Sequence, residues 1–192
     1  MTLLMVDQRE DFAIIFSDTL VVDDENAPRR AQLKVWYLPE LNIGMTVTGA
    51  ADVGAEWFRH LQEHGAGLTL EQINDGATAK LQELYGSVTA HHGSDIGRCT
   101  VHLFGFQSGK LARYSYSVGD QFEGKRHEGP AYFINPPAQT FTAYQPTTLE
   151  ETIELATRLR EEREVPIGGD LMMFILEDGR IRADRVHVFP PD

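Results

Sequence analysis

The second residue is the first that could do chemistry. Thr2 follows the initiator Met1, and threonine is small enough that a methionine before it is commonly removed in the cell. A chain beginning at Thr2 would own a hydroxyl and a free α-amine on one residue. The amine has a reference pKa of about 7.7–8.0, against about 10.4 for lysine, so part of it is unprotonated at neutral pH. It can take the hydroxyl proton directly or through one water, which makes a self-contained nucleophile and base. Asp18 stands sixteen residues after Thr2, in Ser17-Asp18-Thr19, and Lys34 stands sixteen after Asp18, just ahead of Val35-Trp36. Gly49-Ala50-Ala51-Asp52 follows. Taken singly these are ordinary: a Met-Thr start, an aspartate at a strand end, a solvated lysine, a tight connection into a helix. Their combination is what bears interpretation.

Other chemistry-bearing residues form no comparable set. His91 and His92 are adjacent and point apart, with no third ligand at useful spacing. His60 and His64 are one helical turn apart, without the glutamate of an H-E-x-x-H helix. Neither a phosphate-binding loop nor a dinucleotide fingerprint is present. The single cysteine, Cys99, excludes an intrachain disulfide and a thiolate zinc cluster, and its apolar surroundings predict a buried, inert thiol.

The elements that must position these residues can be read from periodicity. Leu3 to Val6 is a short apolar strand, and Phe12 to Phe16 is a continuous apolar run suited to a strand buried on both faces. Lys34 to Leu38 and Ile43 to Thr48 form a hairpin candidate around Pro39 to Asn42. Val53, Trp57 and Leu61 recur at helical spacing. Thr69-Leu70-Glu71-Gln72 is a capping box that opens a helix with Ile73, Ala77, Leu81, Leu84 and Val88 on one face. Strands return at Cys99 to Phe106 and Leu111 to Ser117. Thr148-Leu149-Glu150-Glu151 caps another helix, with Leu149, Ile153, Ala156 and Leu159 inward. A C-terminal hairpin turns at Glu177-Asp178-Gly179. Residues 118–146 are rich in glycine and proline and carry no clear period. The order of strands, two helices, strands, helix, strands fits two stacked sheets with helices outside better than an alternating βαβ fold.

Thr2, Asp18, Lys34 and the Gly49-Ala50-Ala51-Asp52 turn, in this element order, resemble the proteasome-type N-terminal-nucleophile hydrolases, which include 20S proteasome β-subunits and bacterial proteasome-like peptidase rings. The resemblance covers 2–117 and 147–182 in pattern. It implies an α+β chain folded as one four-layer αββα sandwich domain over 1–192. It also implies a threonine-type peptidase or amidohydrolase acting through an acyl-enzyme. In this reading Thr2 is the nucleophile, Lys34 lowers the pKa of its hydroxyl and amine, and Asp18 holds Lys34 charged and oriented. The backbone N–H groups of Thr48 and Gly49 would stabilise the oxyanion, and Thr46 would face the substrate side chain. No cofactor or metal is implied. The partners implied are a peptide or amide substrate, a homo-oligomer that could be a ring, and an ATP-dependent unfoldase. Helices at 50–64 and 148–164 and the 118–146 segment would supply subunit contacts. The sequence departs from the family pattern at Ser117-Val118-Gly119-Asp120, where a Gly-Ser-Gly-like turn is expected. It departs again near Gly168-Gly169, where Glu164 or Asp170 would stand in for a supporting aspartate. Two alternatives stay open: a catalytically inactive proteasome-like assembly or binding protein, and a small-molecule amidase.

Composition sets the outer limits. At about 150 residues per domain, 192 residues make one domain. With 42% hydrophobic and 24% charged residues the chain is globular rather than disordered or fibrous. It has no apolar run of the roughly 18 residues a membrane span requires. Its 17 basic and 29 acidic residues give a net charge of −12, which repels phosphate backbones and argues against nucleic-acid binding. Asp7 interrupts the N-terminus too early for a secretory signal, so a cytoplasmic location is expected.

Overall fold

The computed structural model describes residues 3–22, 28–93, 96–135, 145–162 and 167–190. Cα packing divides the chain into two compact units. The first is Met1–Lys34 with Pro130–Glu177 and Ile181–Asp192, and the second is Val35–Gly129 with Asp178–Arg180.

In the first unit, β1 (Leu4–Gln8) and β2 (Phe12–Asp18) form a hairpin. β2 continues past Thr19 into β3 (Leu20–Val22), which pairs with β4 (Pro28–Ala31) in a separate two-stranded ribbon. The second unit holds β5 (Val35–Leu38), β6 (Ile43–Gly49), α1 (Ala51–His64), α2 (Leu70–His92), β7 (Cys99–Gln107), β8 (Lys110–Ser117) and β9 (Lys125–Glu128). The chain then returns to the first unit with β10 (Ala131–Asn135), α3 (Leu149–Glu161), β11 (Asp170–Glu177) and β12 (Arg180–Val188). The sheet of the first unit has the order β10-β1-β2-β11-β12, and that of the second has the order β5-β6-β7-β8-β9. Every described strand register in both is antiparallel.

The helices form where the sequence places them, for the expected reasons. Thr69 accepts from the Gln72 N–H while the Gln72 side chain accepts from the Thr69 N–H, and Thr148 and Glu151 repeat the arrangement at α3. Each box satisfies two of the amide donors that a helix start leaves open. α1 lacks a side-chain cap, and its stripe of Val53, Trp57 and Leu61 is buried against the second sheet. Burying one side chain of this size contributes about 2–3 kcal/mol.

The expected four-layer αββα sandwich of the N-terminal-nucleophile type is not what the structure shows. Among the described residues the chain is an α+β protein with two antiparallel five-stranded sheets, a two-stranded ribbon and three α-helices. The physical reason lies in where the apolar stripes go. α1 and α2 cover one face of the second sheet in a cluster that includes Met45, Val47, Val101, Leu103 and Tyr116. The α3 stripe of Leu155, Ala156 and Leu159 meets Leu3, just ahead of β1, and Met5 and Leu171 of the first sheet. Each cluster joins a sheet to the helices of its own unit.

Residues 118–135 contain more structure than their composition suggests, and 136–144 lie outside the described residues. Val118–Asp120 is a 3₁₀ turn capped by the Ser117 hydroxyl, which accepts from the Gly119 N–H. β9 and β10 then each add an edge strand, one to each sheet. No helix among the described residues is long and apolar enough to cross a membrane.

Candidate active site

β2 ends at Asp18, whose side chain is fully buried, and β5 begins just after Lys34, whose side chain is 8% exposed. The Lys34 ammonium donates to Asp18 Oδ1 at 2.8 Å. The Leu3 N–H donates to the same oxygen at 3.0 Å. Asp18 Oδ2 has no hydrogen-bond partner among the described residues. The strand ends around this pair are tied by backbone. The Thr19 N–H donates to the Asp170 carbonyl at 3.0 Å, the Asp170 N–H donates to Thr19 Oγ1 at 2.9 Å, and the Gln32 N–H donates to the Thr19 carbonyl at 2.8 Å. Gly169 makes that approach possible. It has φ +69°, and a Cβ there would stand 2.5 Å from Thr19 Oγ1.

Burial pushes the Asp18 carboxyl above its ordinary value, opposed by the charge and hydrogen bond of Lys34 and by the amides of Leu3 and Gly168. Burial pushes Lys34 below the ordinary lysine value, opposed by Asp18. Removed from water, the charged pair and the neutral acid–amine pair lie closer in energy than they would in solvent. Such a lysine exchanges a proton at lower cost than an exposed one.

Of the expected catalytic set, Asp18 and Lys34 therefore stand in direct contact, and Leu3, the residue after Thr2, is bonded to Asp18. Thr2 itself lies outside the described residues, as does Glu164. Asp170 opens β11 and bonds Thr19. Thr46, Thr48 and Gly49 belong to the second unit, at the end of β6. Thr46 and Thr48 are buried, and Thr46 Oγ1 has no partner among the described residues. Gly49 has φ +87°, and a Cβ there would fall 1.7 Å from the Arg98 carbonyl oxygen. That oxygen accepts from the Ala50 N–H at 3.0 Å, so the backbone turns sharply between β6 and α1.

Sequence reasoning passed over a second buried polar group. His102 on β7 lies opposite Thr46 on one side and Ser115 on the other, and its Nδ1 is 3.1 Å from an Arg113 guanidinium nitrogen. Burial, then the charges of Arg113 and His127, lower its pKa to about 3, so the ring is neutral. Arginine can only donate, which makes Nδ1 the acceptor and puts the imidazole hydrogen on Nε2. The β7–β8 turn at Ser108-Gly109 could have revealed this group, since the hairpin register it sets places residues 102, 104, 113 and 115 on one face. No cluster of three metal-ligating side chains exists among the described residues.

No protein-family profile matches the chain. One curated relative, a very-long-chain 3-oxoacyl-CoA reductase from Laccaria bicolor, is 25% identical over 114 residues, covering 57% of this chain and 34% of the reductase. The chain thus spans about a third of that relative's length. A dinucleotide-binding fold is built on parallel strands, and the described registers here are antiparallel, so that likeness carries no argument for reductase chemistry. Three solved structures match nearly the whole chain. Anbu (ancestral beta-subunit) from Yersinia bercovieri has a TM-score of 0.63 and 13% identity, over 96% of this chain and 86% of that one. A mutant Anbu from Hyphomicrobium sp. strain MC1 has a TM-score of 0.64 and 13% identity, over 97% and 87%. A further Anbu structure from the same strain has a TM-score of 0.61 and 13% identity, over 96% and 87%. Membership of the N-terminal-nucleophile hydrolase family, expected from the residues, is overturned by the structure and its neighbours, which are Anbu (ancestral beta-subunit) proteins, with two antiparallel five-stranded sheets among the described residues. At this identity the likeness is one of fold alone: the chain folds like the Anbu (ancestral beta-subunit) structures.

Proposed function

We infer that the chain hydrolyses peptide or amide bonds with the hydroxyl of Thr2 as nucleophile, once Met1 has been removed. One observation carries this reading: the buried Asp18–Lys34 pair, with the amide of Leu3 on the shared carboxylate oxygen. The pair supplies a cation of lowered pKa at the chain segment that begins with Thr2. In the reaction, Thr2 Oγ forms a bond to the substrate carbonyl carbon while its proton passes to the α-amine. The C–N bond then breaks, the leaving amine takes that proton, and an ester remains on Thr2. Water cleaves the ester and restores the hydroxyl. Lys34 stabilises negative charge on Oγ and keeps the neighbouring amine unprotonated, and Asp18 orients it. As part of the same proposal, the chain assembles as a homo-oligomer, in keeping with structural neighbours called ancestral beta-subunits, and an ATP-driven unfoldase supplies its extended chains.

A second reading, a non-catalytic assembly or binding subunit, is favoured by the same pair seen as a strut. It ties the end of β2 to the segment before β5 and needs no nucleophile to do so. Intact mass of the protein from its own host separates the two, together with labelling by a boronate or an epoxyketone directed at N-terminal threonine. The catalytic reading expects loss of Met1, labelling of wild type, and no hydrolysis by Thr2→Ala. Quantitative retention of Met1, or Thr2→Ala turning over substrate at the wild-type rate, would sink it. A strict monomer by light scattering at micromolar concentration would remove the assembly.

A further inference from the structure

α1 ends in His60-Leu61-Gln62-Glu63-His64. Its two histidines are four residues apart, so they stand one above the other on a single face of the helix. Their rings meet there, with centroids 4.8 Å apart. His60 is half-buried, and its ring stacks on that of Trp57 at 5.4 Å. The His64 side chain is 63% exposed, so the pair opens to solvent. Glu63 Oε2 lies 3.7 Å from His64 Nε2, which is charge proximity rather than a hydrogen bond.

Several physical terms favour a cation at this pair. Burial pushes His60 below the ordinary histidine value, helped by the charges of Lys80 and His64 and opposed by those of Glu83 and Glu63. The His60 ring is therefore neutral at pH 7, and a neutral imidazole carries one unprotonated nitrogen, the form a metal takes. The one lysine beside it, Lys80, is matched by Glu83 at 2.8 Å. Gly65 caps α1 immediately after His64, and the C-terminal end of a helix carries partial negative charge that attracts cations. A net charge of −12 does the same at long range.

We propose that His60 and His64 together chelate one divalent transition cation of the copper, nickel and zinc class. Paired imidazoles suit these metals, whereas magnesium and calcium take oxygen ligands. Water completes the coordination, since no third ligating side chain joins the pair among the described residues. Catalytic zinc is held by three protein ligands, so this two-ligand site holds its cation as a clamp across the last turn of α1 and not as a hydrolytic centre. The site is independent of Thr2 and of any peptide hydrolysis.

The test uses the full chain without a polyhistidine tag, titrated calorimetrically with Cu²⁺, Ni²⁺ and Zn²⁺ in a non-coordinating, slightly alkaline buffer. The tightest site is expected to take one cation per chain and to prefer Cu²⁺, following the general order for such ligands. A second donor already held beside the first raises affinity by about 10²–10⁴. His60→Gln and His64→Gln should therefore each weaken Cu²⁺ binding by about a hundredfold or more, while His91→Gln leaves it unchanged. The chain has two tryptophans, Trp36 and Trp57, so Trp36→Phe isolates Trp57, and Cu²⁺ on the stacked His60 ring should quench its fluorescence. Gln62→His combined with His64→Gln keeps the composition but puts the two rings on different faces, and it must not restore binding. Circular dichroism confirms that each variant is folded. Wild-type Cu²⁺ affinity in His60→Gln or His64→Gln, restored binding in the displaced pair, absence of Trp57 quenching, or no binding at all overturns the site.

Discussion

Replacing Lys34 by methionine keeps most of its volume and removes its charge. The Asp18 side chain is fully buried and the Lys34 side chain is 8% exposed, so the variant leaves a carboxylate in the interior with the Leu3 amide as its remaining bond of ordinary geometry. Breaking a buried pair from one side costs about 3–5 kcal/mol, and that full cost is expected at pH 8. The carboxyl has an escape, however, because it can take up a proton. Burial already raises its pKa, and the largest opposing influence, Lys34, is the group removed. In the variant the folded-state value therefore lies well above the unfolded value of about 3.9. Between those two values the folded chain holds a proton that the unfolded chain has lost. Stability then falls as pH rises, by about 1.4 kcal/mol per unit, and the penalty is smallest near pH 4–5. Asp18→Asn combined with Lys34→Met leaves no buried charge and should be more stable at pH 8 than Lys34→Met alone. Urea unfolding followed by far-ultraviolet circular dichroism at pH 5, 6.5 and 8 measures all three proteins against wild type. A penalty below about 1 kcal/mol at pH 8, or one that does not change with pH, would show that the carboxylate is solvated and refute the reasoning.

Three further outcomes follow from other sites. With its folded pKa at about 3 and an unfolded value of about 6.5, His102 binds its proton first in the unfolded chain. Stability is therefore lost as pH falls from about 6.5 towards 3, by up to about 1.4 kcal/mol per unit. His102→Gln should flatten that limb of the urea midpoint, and an unchanged slope would contradict a buried neutral imidazole. Gly49→Ala combines a left-handed φ with a backbone clash at the Arg98 carbonyl and should destabilise by more than about 2 kcal/mol in thermal melts; a neutral effect would refute so tight a turn after β6. Cys99 is buried and its thiol is pushed up to about 12, so Ellman's reagent at pH 8 should label it only after urea unfolding, and rapid native labelling would refute its burial.

The helices were the most legible part of the fold because their signals are local. Thr69 with Gln72 and Thr148 with Glu151 announce helix starts from side-chain chemistry alone. Two of the edge strands, β9 and β10, were illegible because they carry no periodic signal of their own. Lys125–Glu128 has no apolar residue and owes its conformation to pairing with β8, while Ala131–Asn135 is fixed by its antiparallel partner β1, Leu4–Gln8. The ribbon of Leu20–Val22 and Pro28–Ala31 frames an acidic stretch that reads as a loop. At the candidate site, the even spacing of Asp18 and Lys34 marked the two residues that meet, but their burial depends on residues near 168–171 that no local pattern ties to them. His102 and Arg113 escaped notice because a buried polar pair gives no periodic signal; only the strand register brings them together.

The first unit is split around the second, and this has a consequence for synthesis. Val35–Gly129 can complete its meander and helices as soon as it leaves the ribosome, since all five strands of its sheet lie within that stretch. The hairpin of β1 and β2 cannot. Its outer edges are closed by β10 and β11, and Thr19 waits for Asp170, 151 residues downstream. At roughly 5–20 residues per second, that delay is about 8–30 s. For that interval two apolar strands stand with open edges, a natural client for a holdase chaperone. The Asp18–Lys34 pair, likewise, acquires its burial only when β11 has been made and has closed against β2.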